Sequence, residues 1–263
     1  MRVALFATCL GDQVMPDAVA ATVRLLRWLG VAVRFPEEQT CCGQPAYNVG
    51  YHAEARALAR HHLRVFEGSD RVVLPTGSCA AMLAHHYPQL LRDDAGAYAA
   101  ARDLSARALD LASFVTDVLG TDDVGAELTG ERVTYHDGCH ALRLCGVSEA
   151  PRRLLRAAGA ELCEALGHDA CCGFGGLFSV KQPEVSAAMA RAKHAGIVAS
   201  GASTLTSQDP GCLLQLGGSL RREGLAVRVV HLAELLWEGV LRANGAPRRP
   251  GAGSPSVRSG APA

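Results

Sequence analysis

Two adjacent cysteines, Cys41 and Cys42, sit in the stretch EQTCCGQPAYNVGY and are followed at once by Gly43; the stretch HDACCGFGGLFSV repeats the arrangement at Cys171, Cys172 and Gly173. Cys9 precedes Cys41 by 32 residues and Cys139 precedes Cys171 by 32, while Cys79 follows Cys42 by 37 and Cys212 follows Cys172 by 40. Eight unrelated core thiols would not fall in the same order twice. Adjacent cysteines are poorly placed to bridge each other, because disulfide geometry fixes the separation of the two Cα and Cβ atoms. In a reducing compartment, ten cysteines in one chain point to metal or redox chemistry before structural disulfides. Each copy therefore offers four candidate metal ligands: Cys9, Cys41, Cys42 and Cys79 in the first, and Cys139, Cys171, Cys172 and Cys212 in the second.

Four thiolates suit zinc or an iron–sulfur cluster. Structural zinc sites draw their ligands from close Cys-x-x-Cys pairs, whereas here three separated loops supply one, two and one ligands. That pattern favours a cluster, with a non-catalytic zinc scaffold as the alternative, and four thiolates accommodate [4Fe–4S] as well as [2Fe–2S]. The expected complement is one or two clusters per chain.

The remaining candidates carry less. Cys145 and Cys163 have no counterpart in the other copy, and unpaired cysteine is commonly a small buried hydrophobe; Cys145 lies near enough to Cys139 in sequence to be an alternative ligand. Among the ten histidines, His61, His62, His85 and His86 fall on helical stretches and are expected at the surface. His136 and His140 bracket Cys139 in YHDGCH, where they would tune a cluster, move protons or simply hold structure. Lys181, Arg143 and the histidines near the cysteines could attract a carboxylate substrate, though any surface would supply as many. The run CCGFGG lacks the G-x-G-x-x-G spacing and a ribose-binding acid, which argues against a dinucleotide.

The elements that must position these residues also come in two sets. VALFAT (3–8) and RVTYH (132–136) read as buried strands, each reaching a cysteine and then a helical pattern, at about 16–30 and 148–159. VAVRF and ELCEAL are second strands leading to the CysCysGly turns; RVVLPT and STLTSQ are third strands leading to Cys79 and Cys212. Helical stretches AEARALARHHLRVF and VSAAMARAKHAGIVA lie between. LDLASFV from Leu109 echoes VHLAELL from Val230, so that His231 ends a strand where the first copy has Asp110. Strands alternating with helices predict an α/β fold, two tandem βαβ repeats with mostly parallel sheets. Cysteine loops would then gather at the C-terminal ends of the strands, where open parallel sheets carry their functional groups. Helix N-termini there favour thiolates. The expected division is 1–120 for the first repeat and 121–243 for the second, with 92–130 as joining helix and loop, GTDDVGAEL as a surface loop, and 244–263 as a disordered Gly/Pro/Ser tail.

Composition bounds the function. The 263 residues carry 26 Lys plus Arg against 26 Asp plus Glu, which gives no basic field for nucleic acid. No window approaches eighteen uncharged apolar residues, and the opening MRVALFATCLGD is too short for a signal peptide. A cytoplasmic protein is expected, with any membrane contact made through partners.

The cysteine arrangement resembles the cysteine-rich CCG domain family of iron–sulfur proteins, over nearly the whole chain to about residue 240. The family pattern is a cysteine, a gap of about thirty residues, CysCysGly, a similar gap and Cys-x-x-Cys, in two copies. This sequence departs at the last position, where Met82 and Gln215 stand. FATCLGD, RFPEEQTCCGQPAYNVGY, GSCAAM, CCGFGGLFSVK and VVHLAELL are most similar to the lactate utilization branch, which also lacks the final cysteines. That resemblance implies an oxidoreductase subunit for electron transfer, acting with other iron–sulfur subunits of a lactate utilization complex that oxidises L-lactate to pyruvate. It also implies that the eight paired cysteines ligate [4Fe–4S] clusters. A heterodisulfide reductase-like thiol/disulfide redox subunit is the alternative within the family.

Overall fold

The computed structural model describes residues 1–245, so the tail expected from 244 lies almost wholly outside the described residues. The order of elements repeats. In the first half β1 (Val3–Leu5) leads to α1 (Cys9–Val14) and α2 (Pro16–Trp28), then β2 (Val33–Arg34), α3 (Gln44–Asn48) and α4 (His52–Val65). β3 (Arg71–Leu74) follows, then α5 (Gly77–Ala81), a π-helical turn (Met82–His86), α6 (Tyr87–Leu90), α7 (Ala95–Arg107), β4 (Ala108–Asp110), α8 (Leu111–Ser113) and a second π-helical turn (Phe114–Val118). The second half has β5 (Arg132–Tyr135), α9 (Cys139–Cys145), α10 (Glu149–Ala157), β6 (Glu161–Leu162), α11 (Leu177–Lys181) and α12 (Pro183–Ala199). It closes with β7 (Thr204–Ser207), α13 (Pro210–Arg222), β8 (Arg228–His231) and α14 (Leu232–Ala243).

Each half makes one four-stranded sheet, in the orders β2-β1-β3-β4 and β6-β5-β7-β8, and every pairing is parallel. The α/β, mostly parallel expectation therefore holds. The central strands are buried on both faces, which is why β1 and β3 read as short uninterrupted apolar runs rather than as alternations. Helix starts are set locally. Pro16 and Pro183 open α2 and α12 at positions that need no N–H, and the Asp94 carboxylate accepts from the Ala97 N–H to begin α7.

Two sequence expectations need correction. Residues 92–130 are more than joining material, since they contain β4, which completes the first sheet beside β3. GTDDVGAEL has no regular structure, yet it is pinned down rather than free. Val124 and Leu128 are buried, the Trp28 Nε1–H donates to the Val124 carbonyl at 3.0 Å, and the Leu128 N–H donates to the Ala158 carbonyl at 2.7 Å.

The halves interlock. α14, which follows the fourth strand of the second half, packs on α2 of the first; α8 and its π-helical turn, which follow the fourth strand of the first half, pack on α10 of the second. α5 meets α9 and α13 meets α1 in the same reciprocal way. One apolar core consequently draws on both halves, joining Val3, Leu25, Leu26 and Val73 to Val133, Leu154, Leu235 and Leu236, while two smaller cores lie within one half each.

Polar contacts repeat the reciprocity. Asp110, at the end of β4, accepts from the Gln208 Nε2–H just beyond β7 at 2.8 Å; His231, at the end of β8, donates from Nε2 to the Pro75 carbonyl just beyond β3 at 2.8 Å. Both side chains also cap the helix that follows, Asp110 accepting from the Ser113 N–H and His231 Nδ1 from the Ala233 N–H.

Candidate metal centres

The eight paired cysteines gather into two quartets at the C-terminal ends of the strands. Cys9 opens α1 just after β1, Cys41 and Cys42 lie between β2 and α3, and Cys79 sits in α5 just after β3. The Cys9 Sγ is 3.6 Å from the Cys41 Sγ and the Cys42 Sγ 3.2 Å from the Cys79 Sγ, with a thiol contact between Cys41 and Cys42 closing the set. In the second half Cys139 opens α9, Cys171 and Cys172 precede α11, and Cys212 lies in the first turn of α13. The Cys172 and Cys212 sulfurs are 3.0 Å apart, and Cys171 meets both Cys139 and Cys172. All ten cysteines are free thiols.

Backbone geometry makes the doubled cysteine work. Gly43 and Gly173 follow the pairs with φ of 87° and 85°, a conformation L side chains rarely adopt, and a Cβ on Gly173 would lie 2.5 Å from the Ser186 carbonyl oxygen. The turn brings the Gly173 N–H to 3.4 Å from the Cys171 Sγ and the Phe174 N–H to 3.5 Å from the Cys172 Sγ. On the other side of the first quartet, Thr8 has φ 66°, the one positive value among the described non-glycine residues, and its hydroxyl accepts from the Gly11 N–H in the first turn of α1.

The electrostatics single out one thiolate per quartet. Hydrogen bonds from Cys42 and Cys9, helped by the Gly43 N–H, hold the Cys41 thiol down at about 2; Cys139 and Cys172 do the same for Cys171, also at about 2. Their donors move the other way, with Cys9 raised by its bond to Cys41 and Cys139 by its bond to Cys171. Crowded sulfurs of this kind suit a multivalent cation. Each quartet thus has the soft donor set and the N–H groups facing sulfur that suit an iron–sulfur cluster.

A helix side chain steadies each CysCysGly loop. In the first half it is His62 of α4, whose Nε2 accepts from the Thr40 N–H at 3.2 Å. Its Nδ1–H donates to the Tyr87 hydroxyl at 2.8 Å, and that hydroxyl donates to the Cys42 carbonyl at 2.9 Å. His62 is fully buried, contrary to the surface expectation, and burial lowers its imidazole to about 4. At the matching place on α12 stands Lys193, whose Nζ donates to the Ala170 carbonyl at 2.9 Å, the His168 carbonyl at 3.3 Å and the Gly167 carbonyl.

Other features were not legible from the sequence. Arg152 makes a two-pronged bond to Asp137, at 2.9 Å on each arm, and reaches Glu164 at 2.6 Å; the Asp137 side chain has no solvent exposure. Asp209 is buried between the quartets. Its Oδ1 accepts from the Ser78 N–H next to Cys79 at 2.8 Å, and a Cβ on Gly138, next to Cys139, would fall 1.7 Å from its Oδ2.

The structure separates the unpaired candidates from the quartets. Cys163 lies just beyond β6 with its sulfur against Glu161, and Cys145 closes α9 with its thiol raised to about 11 by burial. Both are half-buried rather than buried. His61, His85 and His86 are half-buried, and Arg143 and Lys181 are exposed. His136 is buried and His140 brings Nδ1 to 3.6 Å from the Cys139 Sγ. Met82 is enclosed in the first-half core, and Gln215 donates to the Ser186 hydroxyl at 2.8 Å, so the two residues at the departure from the family pattern serve packing.

No helix among the described residues is long and apolar enough to cross a membrane. The CCG family model, described as a cysteine-rich domain, matches residues 3–84 and 133–217. "Lactate utilization protein A" of Geobacillus sp. (strain WCH70) is 47% identical over 90% of this chain and 99% of its own length. The protein of that name from Exiguobacterium sp. (strain ATCC BAA-1283 / AT1b) is 45% identical over 92% of this chain and 99% of its own length. Among solved structures, a hypothetical protein from Helicobacter pylori superposes with a TM-score of 0.64 at 10% identity, over 93% of this chain and 50% of that one, a likeness of fold alone. The tandem match and these relatives establish that the chain belongs to the CCG cysteine-rich domain family.

Proposed function

We propose that the chain is the iron–sulfur electron-transfer subunit of a complex that oxidises L-lactate to pyruvate. Cys9, Cys41, Cys42 and Cys79 hold one [4Fe–4S] cluster and Cys139, Cys171, Cys172 and Cys212 a second. The observation that carries the reading is the convergence of eight free thiols into two glycine-backed quartets, in a chain 47% identical to a protein named for lactate utilization. The clusters supply one-electron transfer at each site. Oxidation of lactate releases two electrons and two protons, so two such sites in one chain match the electron count. The chain's own residues hold the sulfurs together, donate N–H bonds to them and, through His62 and Lys193, fix the loops. The division into repeats at 1–120 and 121–243, a cytoplasmic setting and association with other iron–sulfur subunits belong to the same proposal.

The test is iron, acid-labile sulfide and zinc per chain in protein purified without oxygen, followed by lactate addition with and without the partner subunits. About eight iron and eight sulfide, reduced by lactate only when partners are present, is the expected result. Tightly held zinc without sulfide would replace the reading with a metal-binding scaffold, and disulfide turnover by the chain alone would replace it with a thiol redox enzyme.

A further inference from the structure

The two quartets differ in what stands behind them. Phe6 continues from β1, and its N–H donates to the Val73 carbonyl of β3 at 3.0 Å; in the second half the His136 N–H donates to the Thr206 carbonyl of β7 at 2.8 Å. The two residues therefore occupy the same place, one strand end before the first cysteine loop. Phe6 is an ordinary core residue, tilted against Phe66 at 5.1 Å. His136 is not.

The residue is 2% exposed, and Nδ1 lies 3.0 Å from the His168 carbonyl oxygen. A carbonyl only accepts, so Nδ1 carries the proton and Nε2 keeps its lone pair. That Nε2 is buried and has no hydrogen-bond partner, a condition folded proteins seldom leave in place without a ligand or a functional reason. A ring nitrogen of His136, the Cys172 Sγ and the Cys212 Sγ lie within 4.8 Å of one another. Histidines that bind metals donate their other N–H to a carboxylate or backbone carbonyl, which fixes the tautomer and the ring. The His168 carbonyl plays that part, and it is itself held by the Asp137 N–H at 3.2 Å and by the Lys193 Nζ.

We propose that His136 is an iron ligand of the second centre in place of one of the four cysteines gathered there, which makes that centre a mixed imidazole and thiolate site, while the first is all thiolate. The inference rests on the reading of the quartets as cluster sites. A neutral imidazole on iron adds less negative charge than a thiolate, and histidine ligation raises cluster potentials. The second centre is accordingly the more oxidising of the two.

The test uses the full chain with its iron and sulfide, grown with unlabelled or 15N-labelled histidine and poised so that each centre is paramagnetic in turn. Pulsed electron paramagnetic resonance should detect one strongly coupled nitrogen on one centre only, changing its pattern with the label. His136→Phe, the side chain the first half already carries, should abolish that coupling and lower the potential of that centre. Measurement on the wild-type chain keeps the test valid even if the variant folds poorly. Iron and sulfide present with only weak amide couplings on both centres would overturn the ligand and leave the proposed function standing. A histidine coupling that survives His136→Phe would overturn it too. A chain lacking iron and sulfide would remove the proposed function first, and this inference with it.

Discussion

Cysteine positions were legible in the sequence because duplication printed each spacing twice, and the structure gathers the paired thiols while leaving Cys145 and Cys163 outside. The assignment predicts that Cys42→Ala and Cys172→Ala each lower bound iron by about half, since each removes a ligand from one site, while Cys163→Ala leaves it unchanged. Iron analysis of the three variants checks this, and equal loss in all of them would contradict a two-site chain. Histidine roles were less legible. His62 stands in a run of polar helix residues and looks exposed, yet the face of α4 that carries it turns inward against Phe6 and Tyr87, a fact set by packing rather than by local sequence. Gly138 belongs with these hidden cases. An added methyl would collide with the Asp209 carboxylate, which cannot swing away without giving up the Ser78 N–H, so Gly138→Ala should cost about 1–3 kcal/mol in urea unfolding.

At the scale of elements, the strands and the long helices followed from apolar runs and 3.6-residue periodicity, whereas β4 did not. It is three residues long and its pairing partner, β3, lies more than thirty residues back, so local pattern does not mark it and only its echo of the strand that ends at His231 pointed to it. What holds the elements differs between exposed and buried charges. Arg152 on α10 ties the buried Asp137, after β5, to the solvent-facing Glu164, after β6, and Arg152→Ala should cost about 3 kcal/mol because it leaves the buried Asp137 carboxylate with only the His168 Nδ1, at 2.6 Å, still facing it. Arg156, one turn further along α10, pairs with Glu149 in solvent, and Arg156→Ala should cost no more than about 1 kcal/mol. Chemical denaturation of both variants distinguishes the two. Glu234, in the first turn of α14, lines a cleft of about 360 Å³ with Met15, Asp17, Leu213 and Arg228. Burial, with Asp17 and Glu238 nearby, raises its carboxyl from 4.5 to about 7. The folded protein thus binds this proton more tightly than the unfolded chain does, so its contribution to stability is full at low pH and is lost as pH rises from about 5 to about 8. Glu234→Gln should remove that slope and stabilise the protein at pH 8 by about 1–3 kcal/mol, with little effect at pH 5, as read from urea midpoints.

At the scale of the whole molecule, the repeat was visible but the interlock was not, since which helix crosses to the other half depends on tertiary contacts alone. With α14 seated on α2 and one core drawing on both sheets, calorimetry of the full chain should give a single unfolding transition; two separated transitions would mean that the shared core adds little. The reciprocal strand-end contacts carry a last consequence. In a symmetric dimer of identical subunits the two contacts would be the same, and any change in the gene would alter both ends at once. Here one contact is a carboxylate with an amide and the other an imidazole with a carbonyl, so the ends have been free to diverge while remaining covalently joined. The seam between the halves is consequently built from two unlike contacts side by side, and because one chain carries both, they always occur together in one-to-one ratio and no exchange of subunits can scramble the pair.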